Sequence, residues 1–132
     1  MFGGVLAKGL MGGAIGIATY LFGAADNLML ALIAMVGIDF VTGIIKAVML
    51  KEVASHKMFM GGAQKVGVFL IVAVANLIDG VLELGGVLRT VTISYFIANE
   101  GISMLENWAL MGLPMPQKLQ NILAGLQGKG KE

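Results

Sequence analysis

The chain has no cysteine, a single histidine and two prolines, and only 13% of its 132 residues are charged. Without cysteine there is no disulfide scaffold and no thiol nucleophile, and one histidine alone excludes the usual zinc constellations. A net charge of +1, with no run of Lys and Arg interleaved with aromatics, argues against a nucleic-acid partner. Because nucleophile and base pairs and glycine-rich phosphate loops are also missing, we expect no enzymatic activity, no metal and no cofactor.

Apolar residues are what the chain has in abundance. They make up 58% of the sequence, and the mean hydropathy is +0.89. Ordinary soluble domains contain roughly 45 to 50% apolar residues and about 25% charged residues. The composition therefore indicates a membrane protein.

Four segments have the length that a membrane-spanning helix needs, which is about 20 largely apolar residues. Polar or helix-breaking residues separate them: Asp26 and Asn27, the connector KEVASHK at 51–57, Gly85 and Gly86, and finally Pro114. The predicted helices cover about 5–25, 28–50, 57–84 and 87–112. We therefore predict an all-α, polytopic membrane protein that forms a single domain over residues 1–132.

The distribution of Lys and Arg predicts the orientation, because positively charged loops stay in the cytoplasm. With four spans and both termini inside, eight lysines lie on the cytoplasmic side or flank it, and the far side receives only Arg89. In the alternative, the fourth segment lies on the surface and the chain has three spans. The tail 117–126 repeats apolar residues at helical spacing and predicts a short interfacial helix, after which GKGKE at 128–132 should be disordered.

Each of the last three helices carries a polar stripe at helical spacing. An ionisable residue at the centre of a spanning helix costs about 2.5 to 3.5 kcal/mol, so these residues require an explanation. They either pair with Lys46 and Arg89 and hold the bundle together, or line an aqueous lesion in an oligomer. Acids outnumber bases in these segments, which favours the second explanation. The stripes are Asp39, Thr42 and Lys46; Asn76, Asp79 and Glu83; and Asn99, Glu100, Ser103, Glu106 and Asn107.

The first helix has a different pattern, with two overlapping GxxxG spacings. One joins Gly9 to Gly13 and the other joins Gly12 to Gly16. Small residues at this spacing let helices approach closely in lipid. We predict that this face makes helix contacts in a homo-oligomer.

Four strings of the sequence resemble the bacteriophage holins of Gram-positive hosts, a family that includes the phage-lysis and toxin-secretion holins of clostridia. The resemblance covers about residues 28–123, and the last string is the most specific. The strings are DFVTGIIKA at 39–47, ASHKMFMGGAQK at 54–65, LID at 77–79 and ANEGISMLENWALMGLPMP at 98–116.

The resemblance implies a small multi-pass protein of the host bacterial cytoplasmic membrane that oligomerises late in infection and opens lesions. A cytoplasmic endolysin then reaches the peptidoglycan and the cell lyses, with no direct contact between endolysin and holin required. An antiholin is a further possible partner. The alternatives are a toxin-export holin, a small ion channel, and a non-conducting antiholin or scaffold.

Overall fold

The computed structural model describes residues 1–126, and this part of the chain is helical with no strand. The predicted disordered tail GKGKE lies outside the described residues. Predicted and observed helix boundaries differ by no more than three residues, and the tail helix begins and ends where it was predicted. The helices are α1 (Phe2–Phe22), α2 (Asn27–Met49), α3 (Ser55–Leu82), α4 (Val87–Leu110) and α5 (Gln117–Leu126).

Residues with special backbone or capping properties separate the helices. Gly23 ends α1 with a φ of 81°, a left-handed value that favours glycine, and the Asp26 carboxylate caps α2 by accepting from the Met29 N–H at 2.9 Å. Gly85 and Gly86, with φ of 67° and 86°, let the chain turn between α3 and α4. These local signals explain why the sequence predicted the boundaries well.

The helices α2, α3 and α4 form a bundle. Helix α4 runs parallel to α2 and packs mainly against it, while α3 runs in the opposite direction. We call the end with residues 50–54 the connector end and the end with residues 23–26 and 83–86 the distal end. The apolar core consists of Met29, Leu32, Val36, Val68, Val72 and Ile93.

Helix α1 stands largely apart from this bundle. It contains no buried residue, and apart from its last residue, Phe22, it packs among the described helices against α3. The contacts lie at its C-terminal end, where the Phe22 ring meets the Phe69 ring edge to face at 6.5 Å between centroids. Most of α1 is therefore available to lipid or to another protein.

Three helices, α1, α2 and α3, are long and apolar enough to cross a membrane, within residues 1–126. The chain is therefore an all-helical, polytopic membrane protein. Helix α4 is more polar, but its 24 residues extend about 36 Å, against about 30 Å for the hydrocarbon core of a bilayer. Its Arg89 and Glu100 are buried within the protein rather than exposed on its surface.

Candidate functional site

Three charged side chains from three helices meet inside the bundle. The Lys65 ammonium of α3 donates to the Glu100 carboxylate of α4 at 2.5 Å and also to the Asp39 carboxylate of α2. The two acids are almost fully buried, with 3% and 2% of their side chains exposed, and Lys65 is 21% exposed. We call Asp39, Lys65 and Glu100 the central charge cluster.

The three members of the central charge cluster lie at a common depth. Each is ten residues from the end of its helix at the connector end, which corresponds to about 15 Å along the helix axis. About 15 Å is half the thickness of the hydrocarbon core of a bilayer. If these helices span the membrane, the cluster lies near the middle of it.

Two polar side chains, those of Thr42 and Asn107, form further hydrogen bonds with Asp39. The Asn107 amide donates to the Asp39 carboxylate at 3.1 Å and to the Thr42 hydroxyl at 3.3 Å. The Thr42 hydroxyl donates in turn to the Asp39 backbone carbonyl at 2.9 Å. These bonds link α2 and α4 directly, so the cluster depends on the packing of all three bundle helices.

The central charge cluster is not balanced. Two carboxylates share one ammonium, and neither Thr42 nor Asn107 adds a charge, so the cluster carries −1 unless it holds a proton. Burying a charge without a full counter-charge costs several kcal/mol, and water entry or helix separation relieves that cost. The arrangement joins the helices and also favours hydration of their interface.

A second polar cluster closes the distal end and is centred on Arg89. Its guanidinium donates to the Phe22 carbonyl at 2.7 Å, to the Ala24 carbonyl at 2.9 Å and to the Asp26 carboxylate at 2.9 Å. One arginine of α4 thus hydrogen-bonds to carbonyl groups at and just after the end of α1 and joins them to Asp26, the N-cap of α2. We call this set the Arg89 junction.

Asp79 and Asn76 also act at the distal end. The Asp79 carboxylate accepts from the backbone N–H groups of Gly86 and Arg89 and so caps the start of α4. The Asn76 amide donates to the carbonyls of Tyr20 and Leu21, at 3.0 and 2.9 Å. Asn76 and Asp79 of the second predicted stripe therefore satisfy helix ends within the protomer.

The Arg89 junction predicts a pH dependence of stability. The guanidinium of Arg89, followed by the backbone N–H of Met29, lowers the pKa of the Asp26 carboxyl below its usual range. A lowered pKa in the folded state stabilises the protein above the unfolded pKa, which is about 3.9, and the contribution is lost as pH falls through the folded value.

We therefore expect thermal stability in detergent to fall as the pH drops below about 4, with a smaller fall in Asp26→Asn, since Asn still caps a helix but does not titrate. Circular dichroism melts at several pH values measure this. An acid-induced loss of the same size in Asp26→Asn would contradict the assignment.

The predicted stripes are distributed over several environments. The structure brings together Asp39, Thr42, Glu100 and Asn107, whereas Asn76 and Asp79 lie at the distal end. Lys46 and Ser103 line a cavity at the connector end, and Asn99 is partly buried. Glu83 and Glu106 are exposed, as are the glycines of α1, Gly9, Gly12, Gly13 and Gly16.

Of the two explanations for the polar stripes, pairing of stripe acids with Lys46 and Arg89 side chains is not found among the described residues. Lys46 forms no ion pair with a described residue, and the Arg89 guanidinium pairs with Asp26 in a loop. The cation of the bundle interior is Lys65, one of the eight lysines that the sequence predicted on or beside the cytoplasmic side. Lys65 is the eleventh residue of α3, which is too deep for a charge that flanks the helix. This position is the sequence signal that identifies Lys65 as an interior cation.

Comparison with known sequences yields one family and several relatives. The model of the bacteriophage holin family matches residues 16–128. A probable holin of Bacillus phage phi105 is 44% identical over 97 residues, which cover 74% of this chain and 71% of the relative.

Two bacterial relatives extend the comparison. An uncharacterised protein of Listeria monocytogenes is 35% identical over 97% of this chain and 91% of its own length. An uncharacterised protein of Bacillus subtilis is 38% identical over 86% of this chain and 80% of its own length. No solved structure matches the chain significantly.

Proposed function

Because this chain belongs to the bacteriophage holin family, we propose that it oligomerises in the host cytoplasmic membrane and forms lesions that release an endolysin for timed cell lysis. Membership of this family points to a membrane protein without enzymatic activity. The observation that carries the proposal is the central charge cluster, where three bundle helices enclose two carboxylates and one ammonium. An interior with more acids than bases is costly to bury in lipid, and this cost favours separation of the helices.

We propose four spans with both termini in the cytoplasm. Helix α4 packs alongside α2 in the same direction, and its buried charges have partners inside the protein. These contacts lower the cost of placing α4 in the bilayer. The excess of lysines at the connector end and in the tail supports a cytoplasmic position for that end.

The lesion would open when the bundle helices separate in an oligomer. Separation exposes Asp39 and Glu100 to water, where both can ionise without a low-dielectric penalty. Glu106 and Glu83 already face outward and would contact other protomers or the lumen. The polar residues of the bundle thus become the wall of an aqueous path.

The glycine face of α1 supplies the proposed contact between protomers. Apart from the adjacent backbone of α1, a Cβ added at Gly12 or Gly16 would meet no atom of its own protomer within 4 Å. We therefore expect the Gly12→Leu and Gly16→Leu variants to fold normally but to form severalfold less oligomer, because a leucine keeps helices apart in lipid.

Cross-linking in isolated membranes, read on a denaturing gel, measures this oligomer loss. Gly3→Leu is the matched control, since Gly3 lies outside both GxxxG spacings and is equally unobstructed in the protomer. Equal cross-linking of Gly12→Leu and wild type would show that the glycine face of α1 is not part of the interface between protomers.

Expression in a bacterium with and without a cytoplasmic endolysin tests the function itself, with membrane potential and culture turbidity followed together. We expect abrupt lysis that requires the endolysin and follows depolarisation. Depolarisation without release of a folded enzyme would indicate a small ion channel. No effect on either readout would indicate an antiholin or scaffold.

Lysis and toxin export share the same lesion chemistry and differ in the cargo. Co-expression of the endolysin or of a folded exported toxin, each measured in the medium, separates the two. Release of the toxin into the medium under conditions in which the endolysin stays inside the cell would overturn the lysis assignment.

A further inference from the structure

A cavity of about 320 Å³ opens at the connector end among α2, α3 and α4. Three lysines line it, together with Asp39 and Glu52. The charge of Lys65 is taken up by the central charge cluster. Lys46 and Lys57, in contrast, form no ion pair within residues 1–126, so two lysines remain without acidic partners.

The two unpaired lysines lie at the mouth of the cavity. Lys46 is three residues from the end of α2 and Lys57 is two residues from the start of α3, so both backbones are within about 5 Å of the helix ends. In a bilayer this is the level at which the hydrocarbon core meets the lipid head groups. Asp39 is several residues deeper and already holds Lys65 and Asn107.

The first turn of α3 adds further positive potential at the same place. Its cap residue, Ala54, has no side chain that can accept from the first N–H groups of the helix, so these donors have no capping partner in the described structure. Ala54, Lys57 and Met58 all line the cavity. A helix N-terminus with free N–H groups attracts anions, and here it reinforces the two lysines.

Glu52 opposes this potential and is the acid at the mouth. It is exposed, and it makes no ion pair among the described residues. At the mouth, two ammonium groups and the N-terminus of α3 therefore face one solvated carboxylate, while the acids of the central charge cluster lie several residues deeper and hold Lys65. The balance at the mouth favours an anion.

The remaining lining indicates the source of that anion. Phe40 and Met58 line the cavity and remain 37% exposed on the surface of the bundle, and Ile44 lies beside them. An apolar wall that continues to the membrane-facing surface suits an acyl chain, whereas a free ion would make no use of it. Basic pockets between spanning helices on the cytoplasmic side are suited to anionic head groups.

We propose that this cavity binds an anionic phospholipid of the cytoplasmic leaflet, with Lys46 and Lys57 holding its phosphate group and the Phe40 and Met58 wall contacting its acyl chain. The proposal requires that α2 and α3 span the membrane with the connector end inside. It does not require that the protein forms lesions.

Native mass spectrometry of the full chain, purified in detergent, tests the proposal. The probes are phosphatidylglycerol, phosphatidylcholine and inorganic phosphate, each added separately. We expect the wild type to retain phosphatidylglycerol about tenfold better than phosphatidylcholine, since two lysines act on one anionic lipid. The Lys46→Gln/Lys57→Gln variant should retain both lipids equally.

Lys51→Gln is the matched control, because Lys51 belongs to the same connector and does not line the cavity. It should keep the wild-type preference. Equal retention of both lipids by the wild type, or a loss in Lys51→Gln as large as in the double variant, would overturn the proposal. Inorganic phosphate is the competitor. If it displaces the lipid completely at equal concentration, the cavity binds a free anion and the lipid assignment is overturned.

Circular dichroism of each variant keeps a folding defect separate from a binding defect. Both lysines are at least partly exposed and unpaired, so their replacement by Gln should leave the helical spectrum and the melting temperature unchanged. A double variant that keeps the spectrum and still prefers phosphatidylglycerol contradicts the proposal. Because lipid binding is measured on purified protein, its failure is also distinguishable from a failure to lyse cells.

Discussion

Lys65→Met should lower the free energy of unfolding by about 3 kcal/mol, the lower end of the range for breaking a buried ion pair, since Lys65 is one-fifth exposed. The substitution keeps an unbranched side chain only one heavy atom shorter and removes the only cation near Asp39 and Glu100 among the described residues. Two nearly buried carboxylates then either repel each other or must take up protons. Denaturant titration in detergent, followed by circular dichroism, measures the loss.

Two further variants show whether charge or packing causes that loss. Lys51→Met makes the same change at an exposed connector position, and we expect a change within about 0.5 kcal/mol. Adding Asp39→Asn and Glu100→Gln to Lys65→Met should restore most of the stability, because neutral groups replace the orphaned carboxylates. A triple variant as unstable as Lys65→Met alone would attribute the effect to packing.

Glu100→Gln should delay the onset of depolarisation and lysis. With both carboxylates ionised, the substitution removes the excess negative charge of the central charge cluster and leaves the pair of Asp39 and Lys65 intact. If this stabilises the closed bundle by about 1.4 kcal/mol, a rate-limiting opening step slows about tenfold. The onset time after induction, with membrane potential and turbidity recorded together, is the measurement.

The membrane potential supplies a reason why this charge would set the timing in the proposed mechanism. A full elementary charge moved across the bilayer is worth about 2.3 kcal/mol per 100 mV, so a charge near the middle experiences about half of that. If opening moves this charge from the middle to one face of the membrane, collapse of the potential changes the free energy of opening by about 1 kcal/mol per 100 mV. Glu100→Gln, with the cluster neutral, should make the onset less sensitive to an added uncoupler.

Glu106→Gln provides the matched comparison, since it makes the same substitution in the same helix at an exposed position. We expect its onset time to stay closer to that of the wild type than the onset time of Glu100→Gln. An equal delay in both variants would contradict a trigger inside the bundle and would favour charge at the lumen or between protomers. Lysis of Glu100→Gln on the wild-type schedule would exclude a trigger that depends on this charge.

The two glutamates of α4 show where sequence reasoning reaches its limit. Their separation of six residues predicts different directions around a helix, since 3.6 residues make one turn. From the sequence, both glutamates were assigned to the same polar stripe of the fourth helix. In the structure, Glu100 is 2% exposed and Glu106 lies on the surface. Periodicity gives the angle between two side chains but does not say which neighbouring helix either one faces.

The sequence by itself determined the membrane class, the number of helices and their approximate limits. These properties depend on local composition, on caps such as Asp26 and on breakers such as Gly23 and Gly86, all of which act within a few residues. The family resemblance, carried by strings such as ANEGISMLENWALMGLPMP at 98–116, was confirmed by the match to the holin family over residues 16–128.

Only the tertiary structure decided which charges meet. Lys65 joins Asp39 and Glu100 across 26 and 35 residues of sequence, and Arg89 reaches Asp26 across 63. Such pairs depend on the direction and rotation of whole helices, which packing fixes and which no local pattern contains. Because apolar surfaces of spanning helices are alike in lipid, the specific pairing is set by these few polar contacts and by close packing of side chains.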